Sequence, residues 1–193
     1  VALDHTPRTE PASELAALVG AVEAAGLAAS CRLTVPLGAL GDDGALALAD
    51  RALAAGLGAD LAGPLDRVRA LVGRIPAAGA VVPATEPGAE AACRELAGGR
   101  VRLLGRAGTR GGSGADLAFV RCLNVLMAES GHPGIGTGDR RLVAIAGERA
   151  AWNGRGPETW EYVMRQGVRV DERRRLLAGG YTVRISVTSG ARP

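Results

Sequence analysis

The chain has 193 residues, enough for one domain with a sizeable core, and its 47% hydrophobic and 22% charged content are those of a globular protein. Its formal charge is only +3, every one of its 23 basic residues is Arg, and aromatic residues make up 3% of the chain, which argues against a base-stacking nucleic-acid surface. The absence of lysine also excludes a Schiff-base or lysine general-base chemistry.

Period and punctuation predict alternating strands and helices. The first strand spans residues 1–4, and a helix over 10–25 carries the stripe Leu15, Leu18, Val19 and Val22. A second strand at 31–35 precedes an Ala- and Leu-rich helix over 43–56, and a weak third strand at 57–61 precedes a helix over 65–73. Strands four and five, at 80–84 and 101–104, precede helices over 90–97 and 116–129. Strand six at 134–137 leads to a helix over 140–151, strand seven at 160–164 to a helix over 171–178, and strand eight lies at 182–187. Strands joined by helices of this length imply right-handed crossovers and parallel pairing. Eight such units predict a (β/α)8 TIM-like barrel of class α/β, with parallel strands and outer helices. At 193 residues it is lean beside the usual roughly 250. We therefore expect a shortened or incomplete barrel forming one domain over 1–193 and lacking the final helix. An open doubly wound sheet is the alternative.

The three cysteines, Cys31, Cys93 and Cys122, sit far apart in apolar contexts and read as buried thiols of a reducing, cytoplasmic setting. With only His5 and His132, no zinc-ligand spacing exists, and no metal site is expected. No apolar run reaches the roughly 20 residues of a membrane span. His5, beside Asp4 at the end of strand one, is a candidate general base, although a lone histidine is more often a turn residue. Trp152, Trp160 and Tyr181 are expected between helices and sheet. No Ser-His-Asp or Cys-His arrangement stands out along the chain.

From Gly79 onward the motifs carry more. The segments Gly79-Ala-Val-Val-Pro-Ala-Thr and Ala92-Cys-Arg-Glu-Leu, the helix from Phe119 to Met127, the turn Gly136-Thr-Gly-Asp and the stretch from Trp160 to Arg169 follow one another at set spacings. In content and order they resemble the barrel of the proline dehydrogenase family. That resemblance implies a flavoprotein fold with FAD at the C-terminal ends of the strands and oxidation of L-proline to pyrroline-5-carboxylate. It places Arg102, Ala107, Thr137 and Asp139 on the flavin side, and it identifies no catalytic residue.

The family's fifth strand ends Arg-Leu-Val/Cys-Lys-Gly-Ala-Tyr, whereas this chain has Arg102-Leu-Leu-Gly-Arg-Ala-Gly108, keeping the arginine and losing the lysine and tyrosine. Family residues Gln and Tyr of strand four become Pro83 and Thr85, the strand-six His becomes Gly138, and the strand-seven Tyr becomes Gln166. Asp60 is the counterpart of an acidic strand-three motif. Hydrogen bonds to charged groups contribute roughly 1.5–3 kcal/mol each. Losing three flavin partners removes about 5–9 kcal/mol, against roughly 8 kcal/mol for a micromolar complex. Weak or absent binding of FAD and proline follows. The alternatives are a non-catalytic degenerate barrel used for interaction and an anion- or metabolite-binding protein; self-association through the flank of strands one and eight is expected in any case. The binding protein would use the loop Gly105–Gly114, whose five glycines and two arginines precede a helix N-terminus.

Overall fold

Strand and helix alternate from end to end in the computed structural model, which describes residues 1–7, 9–106 and 113–190. The order is β1 (Ala2–His5), α1 (Pro11–Ala24), β2 (Arg32–Pro36), α2 (Leu37–Ala54), β3 (Gly58–Ala62), α3 (Leu65–Arg74), β4 (Gly79–Pro83) and α4 (Ala89–Leu96). It continues with β5 (Val101–Leu104), α5 (Ser113–Ala128), β6 (Gly134–Gly136), α6 (Arg140–Trp152), β7 (Glu161–Arg165), α7 (Val170–Ala178) and β8 (Val183–Ser189). The strands follow one another in sequence order around a closed parallel barrel. Seven α-helices lie among the described residues. The sheet is therefore complete where the sequence left an incomplete barrel open: β1 pairs with β8 from Ala2↔Ser186 to His5↔Ser189. That pairing also explains why β8 runs two residues beyond the predicted Val187. The weak third strand is real and pairs with all five residues of β2.

The chain resolves into two compact units, Val1–Val81 with Ser186–Pro193, and Val82–Ile185. In the first, one face of the strands buries Leu33, Val35, Ala59 and Leu61 completely, together with Leu15 and Val19 of α1 and Ala45, Ala49 and Ala52 of α2. Because side chains alternate along a strand, Arg32, Thr34 and Asp60 occupy the opposite face. α2 opens six residues earlier than its apolar period predicts. Gly41, at φ 70 and ψ 177, separates a short first turn from the main helix, a conformation available to glycine without a Cβ penalty.

In the second unit, Val101, Leu103, Ile135 and Tyr162 are buried against α5 and α6 residues Phe119, Leu123, Leu126, Met127, Leu142 and Val143. Tyr162 Oη donates to the Val143 carbonyl at 3.1 Å, which fixes the even-numbered side of β7 as the helix-facing one. Trp160, Tyr162 and Tyr181 meet edge to face, with centroids 4.5 and 5.7 Å apart. Trp152 is not part of this core. It is 82% exposed at the end of α6, under the Arg149 guanidinium. The buried stripe of α6 runs Leu142, Val143, Ala146, Ala150, and two residues beyond Ala150 the helix faces the other way.

Candidate functional site

Barrel enzymes place their chemistry at the C-terminal ends of the strands. At that end the turn after β6 carries two residues named from the resemblance. Thr137 Oγ1 accepts the Asp139 N–H at 3.1 Å. Asp139 caps α6, its Oδ1 accepting the Arg141 N–H at 2.8 Å, while Oδ2 lies 3.1 Å from the Arg141 guanidinium. The hydrogen bonds and charge of Arg141 hold the Asp139 carboxyl below the usual carboxylate range. Arg141 also reaches Asp116 of α5 at 2.9 Å. The turn is thus closed upon itself and tied to α5.

Arg102 is the second residue of β5 and only 6% exposed. It pairs with Gly134, three residues before Thr137, a separation of roughly 10 Å along the strand. The backbone therefore brings Thr137 and Asp139 together and keeps Arg102 a level below them. Beside Thr137, Leu104 packs on Gly136, where a Cβ would lie 2.7 Å from Leu104 Cδ2. Ala107, with most of the Gly105–Gly114 loop, lies outside the described residues. Of that loop, the Gly105 N–H donates to the Gly136 carbonyl at 2.8 Å.

A second polar cluster lies at the opposite, N-terminal ends of the strands. Glu161 opens β7, 4% exposed, and receives Arg184 bidentately, Nε at 2.7 Å and Nη2 at 2.8 Å, with Arg100 at 3.3 Å. Burial alone would raise the Glu161 pKa. The hydrogen bonds and charge of Arg184, with Arg100 and His132, outweigh it and hold the carboxyl below its ordinary value. Burial and the charge of Arg100 push His132 the same way. This end of a barrel serves stability.

In the first unit, Arg32 grips Asp60 through Nε (3.0 Å) and Nη2 (2.6 Å) and also donates to the Ala59 carbonyl. A Cβ on Gly58 would fall 2.2 Å from Arg32 Nη1, so glycine makes room for the guanidinium. Asp60, the acidic residue singled out in strand three, is thus the counter-ion of Arg32. Asp4 accepts the hydroxyls of Thr34 and Ser186.

His5 is the largest departure from the sequence reading, which treats it as a lone histidine. Its Nδ1 lies 2.8 Å from Ser189 Oγ and its Nε2 3.1 Å from Glu14 Oε2. Ser189 and Glu14 carry no motif. The signal was the matched position of His5 and Ser189 at the ends of the first and last strands, which becomes contact only when the barrel closes.

All three cysteines are buried thiols, and Cys93 and Cys122 share a hydrogen bond between α4 and α5. That bond and burial push the Cys93 thiol well up. Among the described residues, no three His, Cys, Asp or Glu side chains gather as metal ligands, and no helix is long and apolar enough to cross a membrane.

No protein-family model matches the chain, and no curated protein matches it. Solved structures do. Proline utilization A from Bdellovibrio bacteriovorus, inactivated by N-propargylglycine, superposes at a TM-score of 0.81 with 13% identity, over 99% of this chain and 28% of its own. A mutant of Bradyrhizobium japonicum proline utilization A gives 0.74 at 21% identity, covering 97% of this chain and 26% of its own. A bifunctional proline utilization A protein gives 0.71 at 20% identity, with 97% and 26% covered. The chain spans about a quarter of the length of these structures. The fold is proline dehydrogenase-like.

Proposed function

We propose that this chain is a proline dehydrogenase-like barrel that no longer oxidises proline. The observation that carries this reading is the state of the β6–α6 turn. The Asp139 carboxylate is committed to the α6 N-terminus and to Arg141, and the Thr137 hydroxyl accepts an amide of its own turn. The backbone of Arg102, the retained arginine, lies a level below, paired with Gly134. These bonds support a turn organised for folding, and the lysine that would accompany a flavin there has no substitute of its own type in the chain.

The test is direct. The purified chain is mixed with excess FAD, freed of unbound flavin, and supplied with proline and a dye acceptor. The expected result is a colourless protein and dye reduction no faster than a flavin-only control. Retained flavin with proline-dependent reduction, lost in Arg102→Ala, overturns the reading.

A further inference from the structure

We propose that Ser189, His5 and Glu14 form a nucleophilic relay that takes acyl groups from small activated esters. This stands apart from the loss of proline oxidation, since it involves neither flavin nor proline. β1 and β8 run parallel with His5 opposite Ser189, so the closure of the sheet makes the two side chains neighbours. The 2.8 Å from His5 Nδ1 to Ser189 Oγ lies within the reach a base needs to take a proton from its nucleophile. On the far side of the ring, Nε2 meets Glu14 Oε2 at 3.1 Å. Glu14 is itself held, its Oε1 accepting the Thr9 N–H at 2.9 Å and the Glu10 N–H at 3.3 Å.

These contacts select one neutral tautomer. Nε2–H donates to the carboxylate, which leaves the Nδ1 lone pair to accept the serine proton. The roles are those of a serine hydrolase triad, with the two ring nitrogens exchanged. Exposure is graded as the chemistry requires. The His5 and Glu14 side chains are 16% and 27% exposed, while Ser189, the attacking group, is exposed. The residue after the nucleophile is Gly190, at φ +82, where a Cβ would lie 2.1 Å from the Thr6 carbonyl and 3.2 Å from His5 Cε1. Any side chain there would press on the base.

In the first step Ser189 Oγ attacks the ester carbonyl carbon as its proton passes to His5 Nδ1. The tetrahedral adduct collapses, the C–O bond to the leaving group breaks, and the proton on His5 follows the departing oxygen to give the free alcohol. Water then adds to the acyl-serine while His5 takes its proton. Collapse releases the carboxylic acid, and the proton returns to Ser189. Aryl esters suit the site because their leaving groups depart readily and ask least of oxyanion stabilisation.

The probe is p-nitrophenyl acetate, with release of nitrophenolate followed by absorbance and the acetylated residue located by mass spectrometry of peptides. We expect release above the buffer rate and acetyl on Ser189. Ser189→Ala should abolish both. General-base catalysis is worth about 10²–10⁴-fold, so His5→Gln should slow release at least 100-fold. Glu14→Gln should lower the rate and leave Ser189 as the acetylated residue. Circular dichroism of each variant checks the fold, and Ser189→Ala, which removes one exposed hydroxyl, carries the test if His5→Gln fails to fold. An unchanged rate in Ser189→Ala, or acetyl found elsewhere with Ser189 unlabelled, overturns the proposal.

Discussion

Replacing Glu161 by Gln tests whether the cluster at the N-terminal strand ends holds the second unit together. The carboxylate receives two hydrogen bonds from Arg184 and one from Arg100 at 5% side-chain exposure, and Gln retains a single neutral acceptor. Removing one partner of a buried ion pair costs roughly 3–5 kcal/mol, because the remaining charge stays buried. The guanidiniums keep 18% and 31% exposure, so water recovers part of that loss and about 3 kcal/mol is expected. For a chain of this length that lowers Tm by about 6–12 °C. The double variant Glu161→Gln/Arg184→Met should recover part of the loss, since it removes the stranded cation. Because the folded-state pKa of Glu161 is depressed, its contribution is present above the unfolded carboxyl pKa and is lost as pH falls through the folded value. The gap between wild type and Glu161→Gln should therefore close below about pH 4. Thermal unfolding monitored by circular dichroism from neutral pH to pH 3 measures all of this. A Glu161→Gln variant within about 0.5 kcal/mol of wild type at neutral pH would refute the reasoning.

The depressed pKa of His132 means that the folded state resists its protonation, so stability should fall as pH drops below about 6.5 and level off once the folded protein also binds the proton. His132→Gln should flatten that part of the curve, and an unchanged slope would assign it to other groups. Gly131→Ala should cost about 3 kcal/mol or more, because its Cβ would lie 2.1 Å from the Ala97 carbonyl and 2.3 Å from that of Gly99, both backbone atoms. A denaturant melt with an unshifted midpoint would contradict it. The two tryptophans should part company: Trp160→Ala is expected to cost roughly 3–5 kcal/mol and the exposed Trp152→Ala within about 0.5 kcal/mol, read from the same melts.

Most strands were legible because short apolar runs stand between Gly and Pro punctuation, as at residues 79–83 and 101–104. The start of α2 was not, since nothing in Leu37–Leu40 shows that the chain makes a helical turn before the break at Gly41. Trp152 misled because its size argues for burial while its phase on α6 decides the matter. At the site, Thr137 lies just beyond β6, one residue past the predicted strand's observed end, on the same turn as Asp139. Their role was not readable from the motif, although an Asp immediately before a helix is itself a capping signal. Of the partners of His5, Ser189 was beyond reach, because it lies 184 positions away.

That separation also bears on how the protein comes into being. The first unit includes β8 residues from Ser186 onward, so the β1 edge has no partner until nearly the whole described chain has been made. At about 5–20 residues per second, the ribosome leaves this edge open on the order of 10–40 s. Unpaired strand edges are templates for pairing with other chains. A neighbouring nascent chain thus has that long to pair with Ala2–His5 before the chain's own last strand does.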